Sequence, residues 1–201
     1  MGDYLWRNFF MRIGILGTGA VGRTLATAFI AEGHTVMLGT RQADKEEVKN
    51  WAQQNLEGRV GSPDATAAFG EVIVLATPGL ATEEAMQQAG LSHFTGKIII
   101  DATNPIAAAP PQDGVLSYFT QGGPSLMERL QALAPEAYFV KAFNSVGSAF
   151  MYKPQFGGIM PTMFICGNQE AAKQTVTTLL HSFGWEAEDM GSAASAGAIE
   201  S

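Results

Sequence analysis

The chain has 201 residues, enough for one large domain, and with 46% hydrophobic and only 15% charged residues it is not a disordered polypeptide. A formal net charge of −7 excludes a broad basic footprint for nucleic acid, so an anionic ligand must be held by a few local positive groups. The single cysteine, Cys166, excludes an intrachain disulfide, and no apolar run approaches the ~20 residues of a membrane span. The stretch Met1 to Phe10 has neither a long apolar region nor a small-residue cleavage site, so a cytoplasmic protein without a leader is expected. The low charge also points to a surface partly covered by a second subunit, and a homodimer is expected.

Residues 1–10 read as an extension or as the product of an upstream start, because Met11 stands directly before the first strand, and residues 11–201 read as a single domain. Arg12 to Leu16 is a short apolar strand that ends in glycines. Ala20 to Ala31 is a helix stopped by Gly33, and Thr35 to Gly39 is the next strand. Asp44 and Glu47 have capping-box spacing and open a helix to about Asn55. Ser62-Pro63-Asp64 starts another helix, with Pro where the first turn tolerates it. Val72 to Ala76 and Lys97 to Asp101 are uniformly apolar strands, with a helix from Thr82 to Ala89 between them. Residues 102–123 and 143–160 read as two long irregular loops, and loops of that length usually carry function. Between and after them come a helix from Ser125 to Leu133, a strand from Tyr138 to Ala142, a strand from Pro161 to Cys166, a helix from Glu170 to His181 and a strand from Trp185 to Met190. The last eleven residues are small and featureless. Buried strands alternating with helices predict an α/β fold, a doubly wound and mainly parallel sheet.

Gly17-Thr18-Gly19-Ala20-Val21-Gly22 fits G-x-G-x-x-G and sits where its mechanism requires, after a strand and opening a helix. Gly17 allows the tight turn, Gly19 lets the backbone approach a pyrophosphate, and Gly22 lets the helix pack closely. The helix amino terminus offers free N–H groups and a positive dipole to the phosphates. This is the Rossmann arrangement of a dinucleotide-binding domain. An NAD site places an acid at the end of the second strand, but here the residues are Leu38-Gly39-Thr40-Arg41. Arg41 would attract a 2′-phosphate, Thr40 would donate a hydrogen bond and Lys45 would add charge, so NADP(H) is predicted over NAD(H). The alternative for Arg41 is a solvated surface arginine.

Several further segments resemble the NADPH-dependent coenzyme F-420 reductases, which pass hydride between NADP and an 8-hydroxy-5-deazaflavin, a family related to the oxidoreductase domain of the six-transmembrane metalloreductases. The resemblance is carried by GILGTGAVGRTLA (Gly14 to Ala26), GHTVMLGTR (Gly33 to Arg41), ATP (Ala76 to Pro78), DATNP (Asp101 to Pro105), VKAFN (Val140 to Asn144) and PTMFICG (Pro161 to Gly167). It implies that Thr18, Ala20 and Val21 join the glycines around the pyrophosphate and that Thr40, Arg41 and Lys45 meet the 2′-phosphate. It also implies that Thr77 and Pro78 end a strand at the cofactor crevice, while Asn104 and Asn144 orient the nicotinamide or its ribose. The alternatives are an ordinary turn at Asn104-Pro105 and a loop amide satisfying backbone groups at Asn144. The resemblance further implies an apolar helical segment beyond the point where this sequence reads Gly197 to Ser201, which bears on the acceptor site and not on the NADP site.

Hydride transfer between two redox cofactors needs positioning more than acid–base side chains, and no dedicated catalytic residue is expected. No Tyr-x-x-x-Lys pair occurs, no His/Cys/Asp cluster has metal-ligand spacing, and His34, His93 and His181 read as structural. Cys166 lies in an apolar strand and reads as core. Lys141 either pairs with the cofactor or an acceptor anion, or faces solvent at a strand end. Met151, Met160, Met163, Phe143, Phe150, Tyr152 and Phe156 either wall a flat-ring acceptor pocket or pack in the core or at a dimer contact. The leading expectation is therefore a hydride transfer from NADPH to a deazaflavin, a small-molecule acceptor, on the side of loops 102–123 and 143–160. A flavin or ferric reductase on the same donor site and a noncatalytic NADP(H)-binding redox sensor are the alternatives. An imine reductase is a weaker option, because such enzymes carry a large helical dimerisation domain.

Overall fold

The computed structural model describes residues 10–200, so all but Phe10 of the expected extension lies outside the described residues. In chain order the elements are β1 (Arg12–Leu16), α1 (Ala20–Ala31), β2 (Thr35–Gly39), α2 (Glu46–Gln54), β3 (Arg59–Gly61), α3 (Pro63–Phe69), β4 (Val72–Leu75) and α4 (Gly79–Gln88). They continue with β5 (Ile98–Asp101), α5 (Leu126–Leu133), β6 (Tyr138–Lys141), β7 (Thr162–Gly167), α6 (Glu170–Ser182), β8 (Glu186–Asp189) and the short α7 (Ala196–Ile199). The strands form one sheet in the order β3-β2-β1-β4-β5-β6-β7-β8. Every neighbouring pair is parallel except β6 and β7, which run antiparallel.

Successive strand residues point to opposite faces, and both faces are covered. Ile13, Ile15, Val72, Val74, Ile100 and Val140 face a layer built with Leu25 and Phe29 of α1 and Val176 and Leu180 of α6. Leu16, Ile73, Leu75, Ile99 and Phe139 face the other layer, with Ala67, Met86, Leu126 and Leu130 from α3, α4 and α5. The sheet is doubly wound, and the strand order reverses between β1 and β4. That switch point is where an open α/β sheet leaves a crevice outside the strand carboxyl ends.

Local chemistry explains most boundaries. Ser62 caps α3 by accepting from the Ala65 N–H (3.2 Å), with Pro63 in the first turn. Ser125 and Glu128 form a reciprocal capping box at the start of α5. Other boundaries differ from expectation. The Asp44/Glu47 box does not form: α2 starts at Glu46 with Lys45 at its N-cap, and no side chain caps it. α4 starts three residues earlier than Thr82, directly after Pro78. The edge strand β3, only three residues long, has no visible period in the sequence. Loop 102–123 doubles back on itself, with Ala107 N–H donating to the Ser117 carbonyl (2.8 Å) and Phe119 N–H to the Pro105 carbonyl (2.9 Å). Residues 193–200 are not featureless: they form a 3-10 turn and α7, and they end on the buried side chain of Glu200.

Candidate active site

The switch point holds a cavity of about 520 Å³ between the ends of β1 and β4. Its lining includes Gly17, Thr18, Gly19, Ala20, Thr40, Arg41, Lys45, Thr77 and Pro78. Nine of the thirteen residues singled out from the sequence therefore share one crevice. Gly17 takes φ +124°, and a Cβ there would lie 2.3 Å from the Ala76 carbonyl oxygen, so the turn presses directly on the end of β4. At Gly22 a Cβ would lie 2.0 Å from the Gly17 carbonyl oxygen, which brings α1 against the turn itself. Gly19 is different: nothing lies within 4 Å of its missing Cβ. Its bare backbone faces open space, the cradle a pyrophosphate needs. No side chain caps α1 and no acid stands in its first turn, so its free N–H groups and positive dipole end are left for an anion.

The cavity rim carries the charge pattern expected for a 2′-phosphate. Arg41 and Lys45 are exposed, and no acid ends β2. Thr40 accepts from the Gln42 N–H (3.0 Å), which leaves its hydroxyl proton available. Val21 and Gly22 do not line the cavity; Val21 packs its side chain on the core, so only the α1 backbone at these positions bears on an anion. Asn104 and Asn144 do not line it either. They bond each other: Asn144 Nδ2 donates to Asn104 Oδ1 (3.0 Å) and to the Ile199 carbonyl (2.8 Å), and Asn104 Nδ2 donates to the Asn144 carbonyl (2.7 Å). Asn144 Oδ1 is buried without a hydrogen-bond partner.

Sequence reasoning missed part of the lining. Arg23, one turn into α1, donates to the Thr18 carbonyl and adds a third cation. From α4, Ala81, Glu84, Ala85 and Gln88 line the far wall. Their spacing of i, i+3, i+4, i+7 is one helix face, and starting the helix at Thr82 hid it. Glu84 lies 3.8 Å from Arg41, an exposed pair of little energetic weight.

Lys141 follows neither reading offered for it. It is fully buried, and its ammonium bonds Asp101 and Glu200 (2.7 Å each) and the Thr103 carbonyl (2.9 Å). The sulfur and aromatic set around loop 143–160 divides. Phe143, Met151 and Met163 are core, and Tyr152 donates to Glu32 (2.7 Å), while Phe150 stacks on Phe156 at the surface. Cys166 is buried and its thiol is pushed up to about 11 by desolvation, so it is no nucleophile at neutral pH. His34 accepts the Met11 N–H on Nδ1 (3.2 Å), and His93 contacts Asp64 (3.1 Å). Among the described residues, no three His, Cys, Asp or Glu side chains converge as metal ligands would. No helix among them is long and apolar enough to cross a membrane.

Fold and crevice together define a dinucleotide-binding protein of the Rossmann type. Residues 12–105 match the family described as NADP oxidoreductase, coenzyme F420-dependent. A protein of Arthrobacter sp. FB24, provisionally described as an F420-dependent NADP-reductase, superposes with a TM-score of 0.88 at 33% identity, covering 94% of this chain and 89% of that one. The chain belongs to this oxidoreductase family. It is also 32% identical to the metalloreductase STEAP3 of Rattus norvegicus over 194 residues, 94% of this chain and 36% of that protein. The chain thus spans about a third of the length of the curated relatives it matches. A reductive aminase of Aspergillus terreus, solved with NADPH, shares the fold at a TM-score of 0.69 and 20% identity, covering 95% of this chain and 59% of that one.

Proposed function

We propose that this protein is an NADPH-dependent oxidoreductase that transfers hydride between NADP(H) and a deazaflavin. The observation that carries the reading is the charge and shape of one crevice. It joins an open cradle at Gly19 and an uncapped α1 to Thr40, Arg41 and Lys45 at a rim where an NAD site would carry an acid. Gly17 to Val21 would hold the pyrophosphate through backbone N–H groups, and Arg23 would add charge beside it. Thr40, Arg41 and Lys45 would hold the 2′-phosphate. Thr77 and Pro78 would bound the crevice toward the redox end. Asn144 Oδ1, buried and unpaired, suits a donor from the nicotinamide carboxamide or its ribose, with Asn104 holding the Asn144 side chain. When bound, NADPH supplies the hydride; the protein's part is orientation and exclusion of water, which needs no acid–base side chain.

Loops 102–123 and 143–160 would form the acceptor side, and a second subunit would cover exposed apolar residues such as Phe156, Ile159 and Met160. A single buried cysteine suits a cytoplasmic setting. The 32% identity with a metalloreductase favours a second reading, in which the same donor site serves a flavin that passes electrons to ferric iron. The test is NADPH consumption with the deazaflavin and with FMN as parallel acceptors. Turnover with the deazaflavin supports the proposal, and turnover with FMN alone moves the protein to the second reading. Tight NADPH binding with no turnover on either leaves a cofactor sensor.

A further inference from the structure

The α4 wall of the crevice carries a carboxylate where an anionic ligand calls for cations. The acids among the residues lining the cavity are Glu47 of α2 and Glu84 of α4. Glu84 is the one paired with Arg41: its Oε1 lies 3.8 Å from Arg41 Nη1. At that distance the contact is one of charge and not a hydrogen bond, so it does not orient the guanidinium. The carboxylate itself is held. Gln88, one turn further along α4, donates from Nε2 to the same Oε1 (2.7 Å). Glu83, the next acid on α4, has another partner, the guanidinium of Arg129, and does not line the cavity.

A phosphate monoester carries about −1.5 to −2 charges at neutral pH. Seated on Arg41, a 2′-phosphate would lie within a few ångströms of the Glu84 carboxylate. Like charges at that range oppose each other even through solvent, and salt weakens the opposition. Arg41 and Glu84 are both well exposed, which keeps the effect small. NADH presents only a ribose hydroxyl at the same place and escapes it. The acid therefore acts on one of the two nucleotides. We propose that Glu84 is a specificity-determining residue of the crevice. Its charge holds the preference for NADP(H) below what Thr40, Arg41 and Lys45 alone would set, and it speeds release of the phosphorylated nucleotide. Gln88 keeps the carboxylate on the wall as the phosphate arrives. This inference rests on the NADP(H) reading of the crevice and deepens it.

The test titrates NADPH and NADH against the unaltered protein, Glu84→Gln and Glu83→Gln, at low and at high salt. Glutamine keeps the side chain's size and an oxygen to accept from Gln88, and it removes the charge. Glu83→Gln makes the same change of net charge outside the cavity. Both substitutions are exposed, so folding is not at stake. At low ionic strength Glu84→Gln should tighten NADPH about three- to fivefold, mainly through slower release. The gain should shrink below about twofold near ~1 M salt. NADH affinity should stay within about twofold throughout, and Glu83→Gln should leave the NADPH/NADH ratio within about twofold. The proposal is overturned if Glu84→Gln leaves that ratio unchanged or lowers it. It is equally overturned if NADH tightens in parallel, if Glu83→Gln gives the same gain, or if salt leaves the gain intact. The unaltered protein tells the two failures apart. Where it prefers NADPH and Glu84→Gln fails to raise the preference, only the role of Glu84 falls; where it shows no preference for NADPH, the NADP(H) reading falls and the role of Glu84 falls with it.

Discussion

At Gly17 the backbone holds φ +124° against the Ala76 carbonyl, whereas at Gly19 it is extended and open to the crevice. The two positions should therefore fail differently. Gly17→Ala meets both strain and overlap and should lower stability by at least about 1–3 kcal/mol, read as a lower melting midpoint. Gly19→Val meets no overlap at its Cβ, and the loss of a glycine N-cap should cost it no more than about 1 kcal/mol of stability. It should still weaken NADPH binding tenfold or more, measured by titration. His34 supplies a pH test. Burial holds its imidazolium below the ordinary 6.5, and the Glu32 carboxylate opposes this only in part. The unfolded chain then binds a proton that the folded chain refuses, so stability falls as pH drops below about 6.5, by no more than ~1.4 kcal/mol per pH unit. His34→Gln should flatten denaturation midpoints between pH 6.5 and the lower folded value. Glu32 acts in a separate window. Burial alone would raise its pKa, but hydrogen bonds from Lys153 and Tyr152 outweigh this and hold it below 4.5, so its contribution is lost only in stronger acid. Cys166 should resist thiol reagents at pH 7 until the chain unfolds, as its thiol is raised to about 11.

Elements place these residues, and α4 shows how. Ala81 and Ala85 keep one helix face shallow, so the wall between Thr77 and Gln88 leaves room for a ligand. Ala85→Phe should fill that wall and weaken NADPH binding at least tenfold while leaving the ligand-free melting midpoint within about 2 °C. Apolar strands and punctuated helices were readable because each signal is local: the Ser62 cap, the Ser125–Glu128 box and the strand Ile98–Asp101 each depend on a few adjacent residues. α4 was legible only in part, because Pro78 starts the helix without a capping side chain. β3 was not legible, because three residues at a sheet edge carry no period and form only through pairing with β2. The Asp44–Glu47 spacing misled for a related reason: the spacing is common, and here Lys45 occupies the cap.

For the whole molecule, strand order turns local signals into a site. The turn after β1, the end of β2 and the end of β4 are 59 residues apart from Gly17 to Ala76 in sequence, yet they close one cavity at the switch point. Its phosphate half was legible in G-x-G-x-x-G and Thr40-Arg41, since each role follows from backbone geometry or charge at a fixed place. The buried ionic cluster at the ends of β5 and β6, outside that cavity, was not. Lys141 and Glu200 meet only through long-range packing, and no spacing announces that a buried lysine will find its second carboxylate 59 residues further on. Charge at the β2 end therefore bears the central claim, that the crevice takes NADPH in preference to NADH before passing hydride on. The direct measurement is the dissociation constant of each nucleotide, titrated against the unaltered protein and Arg41→Ala. A charge-assisted contact of about 1.5–3 kcal/mol predicts a preference for NADPH of roughly 10- to 150-fold that Arg41→Ala largely removes. Equal affinities in the unaltered protein, or a ratio that Arg41→Ala leaves in place, would contradict it.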